Sequence, residues 1–213
     1  MPAGVCWNPY SAKAMDNIYF PSCNFAKASP QAAKKLRERL KALMPVAGCC
    51  RVDPKEYPPG SQGLYVCQAC RETLESRFPQ LIPKNLFVWL DQEEPFPFPD
   101  YRGLTVSIQD CWRDREHPEI HQAVRSLLKK MGIQAREIPE NRENADSCGD
   151  LHFPPRIQGL VSPKEDPALI FAEQLEKHKG LPVLCYCNRC KAGIETAGGQ
   201  GIHLLELVMG TYN

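Results

Sequence analysis

The sequence predicts an α/β protein built from two pseudo-repeated βαβ-type halves with parallel sheets. Three observations predict it. Short apolar runs of strand length alternate with capped amphipathic segments of helical period, the pattern of parallel βαβ units. Residues 63–72 (GLYVCQACRE) and 181–193 (LPVLCYCNRCKAG) read as copies, each an apolar run that stops at a CxxC pair and passes into a polar, helix-like segment. Cysteines also recur in the same order along each half: after a strand, in a loop, then as CxxC. The expected division is residues 1–98 and 99–213.

In chain order, residues 17–23 (NIYFPSC) read as a strand with Cys23 at its end. Ser29 is the expected cap of a helix with Pro30 in its first turn and Ala33, Leu36, Leu40 and Leu43 as its apolar stripe. Residues 45–51 (PVAGCCR) set Cys49 and Cys50 side by side in a tight turn, and the Cys67/Cys70 strand follows. Residues 85–90 (NLFVWL) read as a buried strand, and the acid-, proline- and aromatic-rich residues 91–103 as a linker.

The second half repeats these parts. A strand over 104–108 leads to Cys111, and a helix over 118–131 buries Ile120, Val124, Leu127 and Met131 and closes at Gly132. A short strand over 136–138 precedes the polar loop NRENADSCGD, which holds Cys148. Asp166, Pro167 and Gly180 then bound a last helix before Cys187 and Cys190.

Composition narrows the function. A net charge of +1 gathers neither nucleic acid nor anionic lipid. No apolar run approaches the roughly 20 residues of a membrane span, so direct membrane insertion is not expected. The first 17 residues lack the basic start and apolar core of a signal peptide, and a cytoplasmic location is expected. There, 11 cysteines are ligands or redox thiols rather than structural disulfides. Cys6 and Cys185 are read as core residues.

The CxxC cysteines fall at strand carboxyl ends and near helix starts, where backbone N–H groups favour thiolate over thiol. The first set is Cys23, Cys49, Cys50, Cys67 and Cys70; the second is Cys111, Cys148, Cys187 and Cys190, with Ser147 where an adjacent cysteine would stand. Four thiolates suit an iron–sulfur cluster or zinc, and spacing does not separate them. A thioredoxin-like dithiol needs neither the repeat nor the additional cysteines. The five histidines are scattered and are read as surface or satisfied residues, including His117 and His121 on one helix face.

Cys23, the Cys49–Cys50 pair and CxxC, echoed by Cys111, NRENADSCGD, CNRC and the GIHLLEL of residues 201–207, resemble the cysteine-rich CCG domain. That domain occurs twice in the heterodisulfide reductase B subunit and in related iron–sulfur subunits of glycolate, lactate and glycerol-phosphate oxidation. The resemblance implies a 4Fe-4S cluster of the non-cubane type on the first set and a second centre, 4Fe-4S or zinc, on the other. It also implies an oxidoreductase subunit for electron transfer, an electron-donating iron–sulfur or flavin partner subunit, and a disulfide substrate. The chain departs from the family at Arg51, Asp110, Trp112 and Ser147. A zinc-binding or cluster-carrying interaction protein without catalysis is the alternative.

Overall fold

Two parallel sheets, one of three strands and one of four, order the chain in a computed structural model that describes residues 16–146 and 167–212. Cys6, Cys148, Ser147 and Asp166 lie outside the described residues. The first sheet has the order β1-β2-β3, from β1 (Asn17–Tyr19), β2 (Gln62–Tyr65) and β3 (Ile82–Asn85). The second has the order β5-β4-β6-β7, from β4 (Thr105–Gln109), β5 (Gln134–Arg136), β6 (Val183–Cys185) and β7 (Gly201–His203). All strand pairs are parallel, as the expected α/β class requires.

The strand orders correspond closely. On the outer side of β1, where β5 lies beside β4, a single parallel bridge joins Tyr19 to Val46. In β2, Tyr65 pairs with Asn85; in β6, Cys185 pairs with His203. Each of Tyr65 and Cys185 stands two residues before a CxxC pair.

The helices are α1 (Cys23–Ala28), α2 (Pro30–Lys41), α3 (Gln68–Arg77), α4 (Leu86–Glu93), α5 (Pro118–Lys130), α6 (Pro167–Glu176), α7 (Asn188–Thr196) and α8 (Leu204–Val208). None of the described helices is long and apolar enough to cross a membrane.

Five local expectations change. The strand expected over 136–138 lies instead at β5, Gln134–Arg136. Residues 86–93 form α4 rather than a strand. Asn85 ends β3, and its side-chain oxygen accepts the N–H of Phe87 at 2.9 Å, so the apolar run begins at a helix cap. A short apolar run has no periodicity that separates the two states, and the cap decides. In α2 the buried residues are Ala32, Leu36 and Leu40, while Leu43 lies past the helix and is 53% exposed. Ser29 stands at the α2 cap position, but its side chain makes no cap bond to that helix; its hydroxyl donates instead to Glu206 Oε1 at 2.7 Å. The stretch after α4 is held to the body of the protein, with Phe96 and Phe98 against the core, Arg39 over the Phe96 ring and Tyr101 donating to Leu207 O.

One core runs through both halves, from Leu36, Leu40 and Phe87 of the first to Ile108, Val124, Leu127 and Leu205 of the second. Each such side chain contributes roughly 1.5–3 kcal/mol on burial. The α5 stripe is buried as expected, at Ile120, Val124, Leu127 and Met131. A smaller cluster of Ile18, Phe20, Tyr65, Leu74, Phe78 and Leu81 underlies α3 and includes Cys50, Cys67 and Cys70. Cys185 is fully buried in β6, as a core cysteine.

Candidate metal centre

Because the strands of each sheet are parallel, their carboxyl ends lie on one edge, and the helices that follow start there. Their caps line the site. In the second half Cys111 follows β4 as the cap of a 3-10 turn (Trp112–Asp114), Cys187 caps α7, and His203 caps α8. The sulfurs of Cys111, Cys187 and Cys190 lie within 4.8 Å of one another.

Cys187 is drawn well below the usual thiol range. It accepts hydrogen bonds from Cys111 and Cys190, against the opposing effect of burial, and from the backbone N–H groups of Cys190 and Arg189. Its helix start therefore stabilises a thiolate, as expected for CxxC at this position. Cys111 is pushed up, first because it supplies its proton to Cys187 and also by burial.

Buried polar groups position Cys111. Tyr186 Oη accepts the Cys111 N–H at 3.0 Å and donates to Asp110 Oδ1 at 3.1 Å. Arg125 grips both Asp110 oxygens, at 3.0 and 2.6 Å, and Asp110 Oδ2 accepts the N–H of Arg142 at 2.9 Å. Burial alone would raise the Asp110 carboxyl, but Arg125 holds it below the usual range. The same bond to Arg142 ties the NREN loop beside Cys111.

Two further groups that sequence reasoning did not select face this centre. Asp114 is 3% exposed with Oδ1 unpartnered, and its carboxyl is pushed far up, first by burial and then by the charge of Cys187. His203 is fully buried; Nδ1 accepts the Leu205 N–H, Nε2 has no partner, and its pKa falls to about 4, first through burial. The ring lies 4.7 Å from that of Phe25 in the first half. The available signal for His203 was its place in GIHLLEL; for Asp114 there was none.

The first half gathers its thiols differently. The Cys67 and Cys70 sulfurs are 3.4 Å apart, and Cys50 also bonds Cys70. Cys50 is lowered to about 6 and Cys67 to about 7, each chiefly by the Cys70 thiol, which is itself pushed up. Cys49 bonds Cys50 and is half-buried. The turn that carries this pair is tied down by Asp53, whose carboxylate accepts from Gly48 N, Lys55 N and Tyr57 Oη, and by Arg77, which donates to Cys50 O at 2.6 Å.

Cys23 is exposed at the first position of α1. Strand register explains the placement. Tyr19 pairs with Leu64 and Gln109 with Cys185, so Phe20 and Gln109 are equivalent, and the position two residues on is Cys111 in one half and Ser22 in the other. Ser22 is the cap of α1, and its Oγ lies 3.5 Å from Cys67 Sγ.

The two centres are neighbours. The charge of Cys187 is felt at Cys67. Between them Arg113, just after Cys111, donates to Glu72 on α3 at 2.6 Å, and Arg71 of α3 contacts His117 Nε2.

Fold and site together define a parallel α/β protein with a largely buried three-thiol centre, Cys187 being half-buried, at the carboxyl edge of its larger sheet. Comparison with known proteins finds no matching family model, no matching curated protein and no matching solved structure.

Proposed function

We propose that this is a thiolate metal-binding protein whose compact centre, Cys111, Cys187 and Cys190, holds a single tetrahedrally coordinated ion of the zinc class. The observation that carries the reading is the packing of three sulfurs within 4.8 Å. Around one zinc ion with bonds of about 2.3 Å, tetrahedral ligands stand roughly 3.8 Å apart. The terminal sulfurs of a 4Fe-4S cluster stand farther apart, because an iron–iron edge is added to the two iron–thiolate bonds. A thiolate-poised Cys187 fits the charge such an ion needs. The fourth position is left to Cys148, the sequence-expected ligand that lies outside the described residues, or to solvent.

The second reading is an iron–sulfur redox subunit of the heterodisulfide reductase B type. Its support is the proximity of two thiol-rich centres, with Cys187 acting electrostatically on Cys67. In that reading Cys23, Cys49, Cys50, Cys67 and Cys70 hold a non-cubane 4Fe-4S cluster, a partner subunit donates electrons and a disulfide accepts them.

Protein purified without oxygen and assayed for zinc, iron and acid-labile sulfide decides between them. The first reading expects about one equivalent of zinc per chain and no broad visible absorption. Iron with matching sulfide and a chromophore that bleaches on reduction would replace it with the second; a metal-free chain would end both.

A further inference from the structure

The thiols of the first half form a file rather than a cluster. Cys49 bonds Cys50, Cys50 bonds Cys70, and the Cys70 sulfur lies 3.4 Å from that of Cys67. The file runs inward, from half-buried Cys49 to three buried residues. Among the described residues, Cys111, Cys187 and Cys190 are the one group of ligand residues whose atoms all lie within 4.8 Å of one another, so the first-half sulfurs do not close around a single point in that way. Strand register gives the reason. Where the second half has Cys111 the first has Ser22, whose Oγ lies 3.5 Å from Cys67 Sγ.

Two neighbouring thiols without a third cap sulfur have a different chemistry open to them. Cys67 is the cap of α3 and Cys70 lies in its first turn. A CxxC pair at a helix start has one thiol favoured as thiolate and a second within reach of it, the arrangement that thiol–disulfide exchange requires.

We propose that the first half is a dithiol site that exchanges with small-molecule disulfides, with Cys49 as the point of entry and Cys67 with Cys70 as the pair that ends oxidised. Cys49 attacks one sulfur of a disulfide RSSR as thiolate, forming a mixed disulfide and releasing RS⁻, which takes up the proton that Cys49 gave. Cys50 then displaces the second RS⁻ from Cys49. The protein disulfide moves inward as Cys70 attacks Cys50 and Cys67 attacks Cys70, each step returning the outer cysteine to its thiol. In sum, RSSR and two protein thiols give two RSH and one Cys67–Cys70 disulfide. The site uses none of the compact centre's ligands, so loss of the zinc reading leaves it standing, whereas iron and sulfide bound at these cysteines would remove it.

The test equilibrates the full chain, purified without oxygen, with mixtures of glutathione and glutathione disulfide. Free thiols are then alkylated, and the peptide that holds Cys67 and Cys70 is weighed by mass spectrometry. It is expected to become unalkylated and two hydrogens lighter as the share of disulfide rises. Cys49→Ser, at a half-buried position, should slow that oxidation by roughly tenfold or more, because access to the attacking thiol limits exchange, and should leave the final ratio unchanged. Cys70→Ser should leave Cys67 alkylated at every ratio. Wild-type Cys67 and Cys70 that stay alkylated at every ratio, or a rate that Cys49→Ser does not alter, overturn the proposal, and neither measurement depends on Cys70→Ser folding.

Discussion

At three equivalent helix caps the second half carries Cys111, Cys187 and His203, where the first carries Ser22, Cys67 and Asn85. The backbone makes the same socket twice, because parallel strands end on one edge and the following helices start there. Side chains decide what the socket gathers. In the second half two caps and Cys190 bring three sulfurs together. In the first half a hydroxyl takes the place of one cap sulfur, and a further thiol arrives by another route, on the Cys49–Cys50 turn that follows the Val46 bridge.

The largest test of that difference is a pair of substitutions. On the zinc reading, Cys187→Ser should abolish metal loading at the compact centre, lowering apparent affinity by roughly 100-fold or more, since even outer partners of a metal ligand cost 10–100-fold. Cys67→Ser should leave that ion in place. Metal content after dialysis against a chelator distinguishes them, and equal losses in both variants would mean that the two centres act as one.

Ser22→Cys should move the first half toward the second by placing a sulfur beside Cys67 at the cap of α1. The expected result is one additional bound ion per chain under zinc loading. An unchanged count would show that the cap position does not control loading.

The smallest effect is on pH. All five histidines lie in the second half, and His178 there is buried against Ser107 and Gln109. Burial, aided by Lys177, lowers its pKa from 6.5 to about 4. The unfolded chain therefore binds the proton more readily than the folded one. The stability held by neutral His178 is complete above about pH 6.5 and is lost as pH falls toward 4, a change of roughly 3 kcal/mol. Hydrogen exchange should show β4 and β6 losing protection in acid before β1 and β2, and His178→Gln should flatten that limb. Simultaneous opening of both sheets would show that the shared core overrides the difference.

Much of the fold was legible because its signals are local. Pro118 and Gly132 bound α5, the spacing of Ile120, Val124, Leu127 and Met131 names its inner face, and each CxxC marks a strand end and a helix start. Residues 86–93 were not legible as a helix, because their apolar run lacks a period and the deciding bond, from Phe87 N to Asn85, depends on where β3 stops. The α2 stripe was misplaced at its end for a related reason. Leu43 continues the period, but the helix ends at Lys41.

By itself the sequence determined the α/β class, the strand-to-helix junctions at the CxxC pairs and the wealth of cysteines, since period, caps and cysteine spacing act over a few residues. Only the tertiary structure decided that Ser22 rather than Cys23 stands opposite Cys67, that Cys111 meets Cys187 and Cys190, and that Asp114 and His203 face the same place. Those contacts depend on strand register, and a shift of one residue there exchanges which side chain meets the neighbouring strand's end.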